Sequence, residues 1–175
     1  MNIVKTKIKG ILVIKGKRYM DSRGYLREIV LEKKLNKKFK FQITSVSKKN
    51  VLRGLHFQVN KPQGKFISVV KGSIYDVAVD LRKNSKTFGK HFAIKLSEKN
   101  CTSVYIPKGF AHGFLTLSKE NIVCYSCTDY RSAKDERSLH FADPELKIKW
   151  PIKNPIASNK DKNAKSFRFF LNLHS

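Results

Sequence analysis

The chain has 175 residues, of which 41% are hydrophobic, and it carries a net charge of +24 from 37 basic and 13 acidic residues. This length predicts one domain over residues 1–175. No run approaches the roughly 18 consecutive apolar residues of a membrane span, and lysines interrupt the amino-terminal apolar residues too often for a signal sequence. We therefore expect no membrane partner and a cytoplasmic protein. The basic residues are spread along the chain without helix-turn-helix or zinc-finger spacing, so they predict a solvated surface and an anionic small-molecule ligand rather than nucleic acid; a polyanion-binding protein stays as an alternative.

Alternating apolar and polar residues with closely spaced turn signals predict strands along most of the chain. Helices of at most two or three turns are predicted only over residues 31–38 and in the tail beyond Pro155. Many short strands at hairpin spacing predict an all-β antiparallel barrel or sandwich of the jelly-roll kind. The predicted strand pairs lie within residues 65–82 around Lys71 and Gly72, 91–110 around the sequence SEKN, and 112–130 around SKEN.

The stretch VLRGLHFQ, residues 51–58, places an arginine three residues before a histidine in a mostly apolar run. A buried guanidinium without a partner is costly, so we expect Arg53 to meet an acidic neighbour or an anionic ligand. His56 is then a candidate for chemistry as well as for packing.

The strand SIYDVAVD places Asp76 and Asp80 on one face and only apolar or aromatic side chains on the other. Asp80 is expected to form a salt bridge at the end of the strand, with Arg82 as one candidate partner. Asp76 lies in mid-strand, and a polar side chain that faces the interior of a barrel needs a function there.

The three cysteines do not predict a disulfide framework, because their number is odd. Cys124 and Cys127 have the spacing of a redox or zinc motif, but the chain has no second pair. On a strand, residues three apart face opposite sides and lie about 10 Å apart. We therefore expect no joint function for this pair.

The segment IPKGFAHGF places Pro107 and Gly109 before His112, a spacing typical of the second half of the cupin metal motif. The first half of that motif normally has His-x-His on a strand, whereas here the pair is His56 and Gln58. A three-nitrogen site is therefore incomplete, and no metal is predicted. The two histidines are predicted to share one barrel, as an active-site cluster, with Arg53, Lys65, Asp76 and Tyr125.

Six segments occur in the order and spacing of the dTDP-4-dehydrorhamnose 3,5-epimerase family, which the chain resembles over nearly its whole length. They are DSRGYLRE, VLRGLHFQ, PQGKFISVVKGSIYDVAVDLRKNSKTFG, IPKGFAHGF, FADPELKIKWP and SNKD. The resemblance implies a cupin-type jelly roll with short peripheral helices, a nucleotide-diphosphate sugar as substrate, catalysis without metal or other cofactor, and a homodimer paired through amino-terminal strands. The implied reaction is the 3,5-epimerisation of a nucleotide-linked 4-keto-6-deoxy sugar.

The resemblance also implies roles for individual residues. His56 matches the general base, Asp161 the carboxylate that orients it, and Tyr125 the general acid on the other face of the sugar. Lys65 matches the cation that stabilises the enolate, and such a fixed ammonium stabilises charge on a ketone oxygen better than water does. Asp76 and His112 complete the sugar pocket. Positions that hold the substrate, several near the diphosphate or nucleotide, correspond to Arg23, Glu28, Arg53, Glu136 and Lys160.

The chain departs from the family near the nucleotide. The family commonly has a Gln-x-Asn element, whereas here Gln42 is followed by Ile43 and Thr44. The family also commonly has two adjacent tyrosines, of which the second stacks on thymine, whereas this chain has Tyr130 and Arg131. We still expect Gln42, Tyr130 and Arg131 to bind the substrate. An arginine can stack on a base, but it also fits the O6 and N7 edge of guanine. A GDP-linked sugar, including a heptose, is therefore an alternative substrate, and inversion at C3, C5 or both stays open. A binding module that has lost catalysis is the alternative from another class.

Overall fold

The computed structural model describes residues 1–172. Most of its regular secondary structure consists of thirteen strands. The strands are β1 Asn2–Lys5, β2 Leu12–Lys15, β3 Tyr19–Asp21, β4 Gly24–Leu26, β5 Phe41–Lys48, β6 Leu52–Gln58, β7 Lys65–Lys71, β8 Ser73–Asp80, β9 His91–Ser97, β10 Thr102–Ile106, β11 Phe110–Thr116, β12 Glu120–Cys127 and β13 Glu136–Ser138. The helices are α1 Glu32–Leu35, α2 Asn159–Lys162 and α3 Phe167–Asn172, with a 3₁₀ turn at Ala133–Asp135. Both predicted helical regions are confirmed as short helices; residues 173–175 of the predicted tail lie outside the described residues.

Two antiparallel sheets face each other and form the predicted jelly roll. One has six strands in the order β1-β2-β10-β7-β12-β5, and the other has five in the order β13-β6-β11-β8-β9. Strands β3 and β4 form a separate two-stranded hairpin. The interior faces of the two large sheets meet in an apolar core, so the all-β prediction is confirmed.

The predicted strand positions are confirmed, but the strands on either side of each turn do not pair with each other. β7 and β8 belong to different sheets, as do β9 and β10, and β11 and β12. The chain crosses between the sheets at each turn, which lets both strands place one face in the common core. At the first crossing Gly72 has φ +80°, and an added Cβ would lie 2.3 Å from the Glu120 carbonyl oxygen, so this turn requires glycine.

Strand β8 shows how period-two alternation divides the molecule into two layers. Ile74 and Ala78 pack in the core between the sheets, whereas Val77 and Val79 pack outward under the carboxyl-terminal segment. The salt bridge predicted for Asp80 is confirmed, because Arg82 Nη2 lies 2.7 Å from Asp80 Oδ2. Burial raises the pKa of Asp80, but hydrogen bonds from Arg82, Ser85 and Thr87 outweigh it and lower the pKa to about 2.

The cysteines are free, as expected, and the two that are three residues apart face opposite sides of the sheet. Cys124 Sγ lies 3.6 Å from Thr44 Oγ1 on the outer face, while Cys127 lines a cleft on the inner side. Within residues 1–172 no helix has both the length and the apolar character needed to cross a membrane.

Candidate active site

A cleft of about 590 Å³ lies between the two sheets, lined by β5, β6, β7, β12 and the segment that leads into α2. Eight of the fourteen predicted site residues line it: Arg53, His56, Lys65, Tyr125, Arg131, Glu136, Lys160 and Asp161. These residues come from distant parts of the chain, and the fold brings them to one place.

His56 and Asp161 form a hydrogen bond at one side of the cleft. His56 Nε2 lies 2.6 Å from Asp161 Oδ1, and the Asp161 side chain is only 4% exposed. The Ser158 hydroxyl caps α2 by accepting the Asp161 backbone N–H, which sets the first turn of the helix against β6. Burial raises the pKa of Asp161, but His56, Ser158 and the Gly54 N–H together lower it below its usual value. The carboxylate is therefore ionised beside the imidazole.

The position of His56 depends on a close approach of β6 and β11. An added Cβ on Gly54, which has φ +114°, would lie 2.6 Å from Gly113 Cα, so neither strand has room for a side chain there. The register between these strands shifts between His112 and Phe114, as in a β-bulge. This local geometry places His56 opposite His112.

Tyr125 reaches the cleft from β12, in the other sheet from His56. Its hydroxyl lies 3.4 Å from Ser45 Oγ on β5. Burial raises the pKa of the Tyr125 phenol well above its usual value, and Ser45 and Arg53 offset this only in part. The phenol therefore carries its proton at neutral pH and can donate it.

Lys65 lines the cleft at the start of β7 and makes no hydrogen bond or ion pair within the described part of the chain. Burial lowers the pKa of its ammonium group, while the more distant charges of Cys127, Glu136 and Asp76 raise it. Burial raises the pKa of the Cys127 thiol, and the charge of Lys65 offsets only part of this rise. Lys65 thus offers open donors to the cleft, and an anionic group beside it would favour its charged form.

Glu136 holds two cations at the rim of the cleft. Its Oε2 accepts from Arg131 Nη2 at 2.9 Å and from Lys160 Nζ at 2.8 Å. Burial raises the pKa of Glu136, but these two partners outweigh it and lower the pKa to about 2. Arg131 and Lys160 have further N–H groups, and among the described residues no other carboxylate pairs with them. The rim can therefore bind an anion.

Arg53 is exposed rather than buried, and it meets no acidic neighbour among the described residues, which leaves the anionic ligand of the two expected partners. Its strand neighbours Leu52 and Leu55 are buried, but Arg53 itself points to the cleft, where Nε donates to Ser47 Oγ at 3.1 Å. Asp76 and His112 lie deeper and pair with each other, because His112 Nε2 is 2.8 Å from Asp76 Oδ2 and both are buried. The His112 ring stands edge-on to the Tyr125 ring at 6.3 Å.

Besides Asp76 and His112, which lie behind the cleft, four predicted substrate-binding residues do not line the cleft of the same chain. Gln42 lies on the outer face of β5, since alternation turns Ile43 and Ser45 inward, and its amide donates to Ser126 Oγ. Tyr130 is 65% exposed and stacks on Phe41. Arg23 pairs with Asp21 at the exposed tip of the β3–β4 hairpin. Glu28 is exposed after β4, also outside the cleft.

The residues of the cleft that the sequence prediction misses include Cys127 and Ser45. Cys127 lies two residues after Tyr125 on the same strand, so alternation alone could have placed it on the inner face. Ser45 meets Tyr125 only through the pairing of β5 with β12, for which the sequence carries no signal.

Within residues 1–172, no group of three His, Cys, Asp or Glu side chains is arranged to hold a metal ion.

Comparison with known proteins gives consistent matches. The sequence profile described as dTDP-4-dehydrorhamnose 3,5-epimerase matches residues 5–168. The enzyme of that name from Methanothermobacter thermautotrophicus is 44% identical over 173 residues, which cover 94% of each chain. The enzyme of that name from Shigella flexneri is 41% identical and covers 95% of this chain and 96% of the Shigella chain. The crystal structure of dTDP-6-deoxy-D-glucose-3,5-epimerase from Legionella pneumophila in complex with dTDP-4-keto-L-rhamnose has a TM-score of 0.91 at 42% identity, covering 99% of this chain and 94% of that one.

Proposed function

The chain belongs to the dTDP-4-dehydrorhamnose 3,5-epimerase family, and from that premise we propose that His56 and Tyr125 exchange protons on opposite faces of the sugar. The protein is an epimerase of a dTDP-linked 4-keto-6-deoxy sugar. The observation that carries the assignment of residues is the hydrogen bond of 2.6 Å between His56 and Asp161 in a cleft that Tyr125 and Lys65 also line.

His56 is the base that removes the proton next to the C4 ketone. Its Nε2 is bound to Asp161, and no described group donates to Nδ1, so Nδ1 is the nitrogen that accepts the proton. The ionised Asp161 fixes the imidazole and stabilises the imidazolium that forms, as the carboxylate does in a catalytic triad. The electron pair of the broken C–H bond moves to the ketone oxygen and forms an enolate.

Lys65 stabilises that enolate and Tyr125 completes the inversion. A desolvated ammonium without a competing partner is preorganised for the charge that develops on the oxygen. The Tyr125 phenol is protonated at neutral pH and belongs to the other sheet, so it can return a proton to carbon from the face opposite His56. The enolate electron pair then re-forms the ketone, and the carbon has the inverted configuration.

The rim cations hold the nucleotide diphosphate. Arg53, Arg131 and Lys160 line the same cleft, and Glu136 keeps two of them in fixed positions. Guanidinium groups bind phosphate oxygens through two parallel hydrogen bonds, which orients the sugar toward His56. Tyr130 points elsewhere, so Arg131 is the residue of that pair that contacts the nucleotide.

A homodimer explains the residues that are absent from the cleft of their own chain. The β3–β4 hairpin exposes Tyr19, Met20 and Leu26 by 54%, 68% and 67%, a set of large apolar side chains typical of a protein interface. A partner's cleft would receive Arg23 and Glu28 from this hairpin and the segment after it. The three free cysteines are consistent with a reducing, cytoplasmic location.

The proposed reaction is tested by NMR of the products formed from synthetic dTDP- and GDP-linked 4-keto-6-deoxyglucose. We expect turnover of the dTDP-linked sugar, with the inverted centres read from the ring coupling constants. Faster turnover of the GDP-linked sugar would instead support the alternative base, which Arg131 can also recognise. Saturable binding of the dTDP-linked sugar without any product would favour the non-catalytic binding module.

A further inference from the structure

A second cavity, which we call the end cavity, lies at one end of the barrel beneath helix α3. Its volume is about 490 Å³, within the range of small-molecule sites. Gln63 and Lys65 line both this cavity and the catalytic cleft, so the two spaces share a wall. The rest of the end cavity is not used by the reaction described above.

The walls of the end cavity are aromatic and already packed. Phe57 and Phe170 meet edge to face at 5.3 Å, and Phe88 and Phe167 meet at 5.5 Å. All four side chains line the cavity. Such ring pairs hold each other in place and present a preformed surface to an apolar body.

Among the described residues that line the end cavity, the charged side chains have one sign. The described residues that line it include two lysines, Lys65 and Lys83, and neither an aspartate nor a glutamate. The Lys65 ammonium has no hydrogen bond or ion pair among residues 1–172. A desolvated cation of this kind is stabilised by an anion that reaches it.

We propose that the end cavity binds an amphipathic organic anion, whose apolar body packs among the phenylalanines and whose acidic group pairs with Lys65. A neutral apolar molecule would leave the ammonium unpaired, and a small inorganic anion would leave the aromatic walls uncovered. The site therefore selects for both properties in one molecule.

Occupancy of the end cavity changes the chemistry in the cleft next to it. The acidic group of the ligand neutralises the charge that Lys65 offers to the enolate, while Arg53, Arg131 and Lys160 stay available for the diphosphate. The ligand should therefore lower kcat and leave the KM for the sugar nucleotide unchanged. This consequence rests on the proposed function, whereas the binding of the ligand does not.

The binding is tested by fluorescence titration with 8-anilinonaphthalene-1-sulfonate and with its uncharged counterpart N-phenyl-1-naphthylamine. We expect one saturable site that prefers the sulfonate by about tenfold or more, because a hydrogen bond to a charged group contributes about 1.5–3 kcal/mol. Equal affinity for the two probes, or no saturable site, would overturn the proposal. In Lys65→Met the preference for the sulfonate should fall below about threefold, by loss of that contact.

A matched pair of variants on α3 tests the location. Leu171 lines the cavity and is 36% exposed, whereas Phe169 is 42% exposed on the same helix and does not line it. Leu171→Glu should weaken sulfonate binding about tenfold by repulsion of like charge, and Phe169→Glu should change it less than about twofold. Equal effects of the two variants, with both proteins folded by circular dichroism, would contradict the assignment.

Steady-state kinetics separate this proposal from the proposed function. In the wild-type protein the sulfonate probe should reduce kcat at constant KM, and a purely competitive effect would place the probe in the cleft and overturn the proposal. If the wild-type protein has no epimerase activity, the proposed function fails, while the titrations and the Leu171→Glu comparison still decide whether the end cavity is a site.

Discussion

Replacement of Asp161 by asparagine tests the catalytic pair at its buried member. The substitution keeps the shape of the side chain and removes the charge that faces the imidazolium at 2.6 Å. Two unit charges about 4 Å apart interact by about 4 kcal/mol at an effective dielectric constant near 20. His56 is 30% exposed, so we reduce this to about 2–3 kcal/mol, which corresponds to a fall in kcat of about 30- to 150-fold.

The assay is steady-state turnover of the dTDP-linked sugar, with kcat and KM measured separately. Because Asp161 acts through His56 rather than on the substrate, KM should change by less than about threefold. Asp143→Asn is the matched control, since Asp143 is also buried but accepts the backbone N–H of Phe167 at 2.7 Å, away from the cleft. A kcat for Asp161→Asn within threefold of the wild-type value, with His56→Ala inactive, would refute the role given to the pair.

Three further substitutions test other parts of the account. Tyr125→Phe should slow formation of the inverted product by about 100-fold or more while the substrate still exchanges hydrogen in D₂O, and NMR that shows inversion at the normal rate would exclude Tyr125 as the acid. Arg131→Ala should raise the KM for the sugar nucleotide about tenfold with kcat nearly unchanged, and an unaltered KM would remove Arg131 from the nucleotide site. Asp80→Asn should cost about 2 kcal/mol of unfolding free energy at pH 7, since the pKa of Asp80 is about 2 in the folded state and about 3.8 unfolded. The depressed pKa means that this stabilisation is complete above about pH 4 and disappears as the pH falls through about 2, so urea denaturation that shows the same deficit at pH 2 and pH 7 would contradict it.

Local patterns predicted the faces of strands correctly. Alternation along β8 placed Asp76 and Asp80 inward, and the same rule separated Cys124 from Cys127, because side-chain direction on a strand depends only on neighbouring residues. The partners of each strand were predicted less well. The segments around Gly72 have hairpin spacing, yet they enter different sheets, because that choice depends on the packing of the whole chain.

The site residues could be predicted where the sequence motifs are long. The prediction failed where a contact depends on strand register or on the exposure of a side chain. Arg53 sits among apolar neighbours in the sequence, but it lies at the edge of a cleft that forms only when the sheets come together. Gln42 was predicted to hold substrate, whereas the pairing of β5 with β12 turns Ser45 toward Tyr125 and Gln42 away. No local signal in the sequence specifies that register.

Deuterium incorporation from D₂O into dTDP-linked 4-keto-6-deoxyglucose tests the central claim most directly. Mass spectrometry should show deuterium at each inverted carbon with the wild-type protein, and none with folded His56→Ala, because the imidazole is the group that breaks the C–H bond. Exchange by His56→Ala at the wild-type rate, or the absence of exchange by the wild-type protein, would contradict the assignment of His56 as the base.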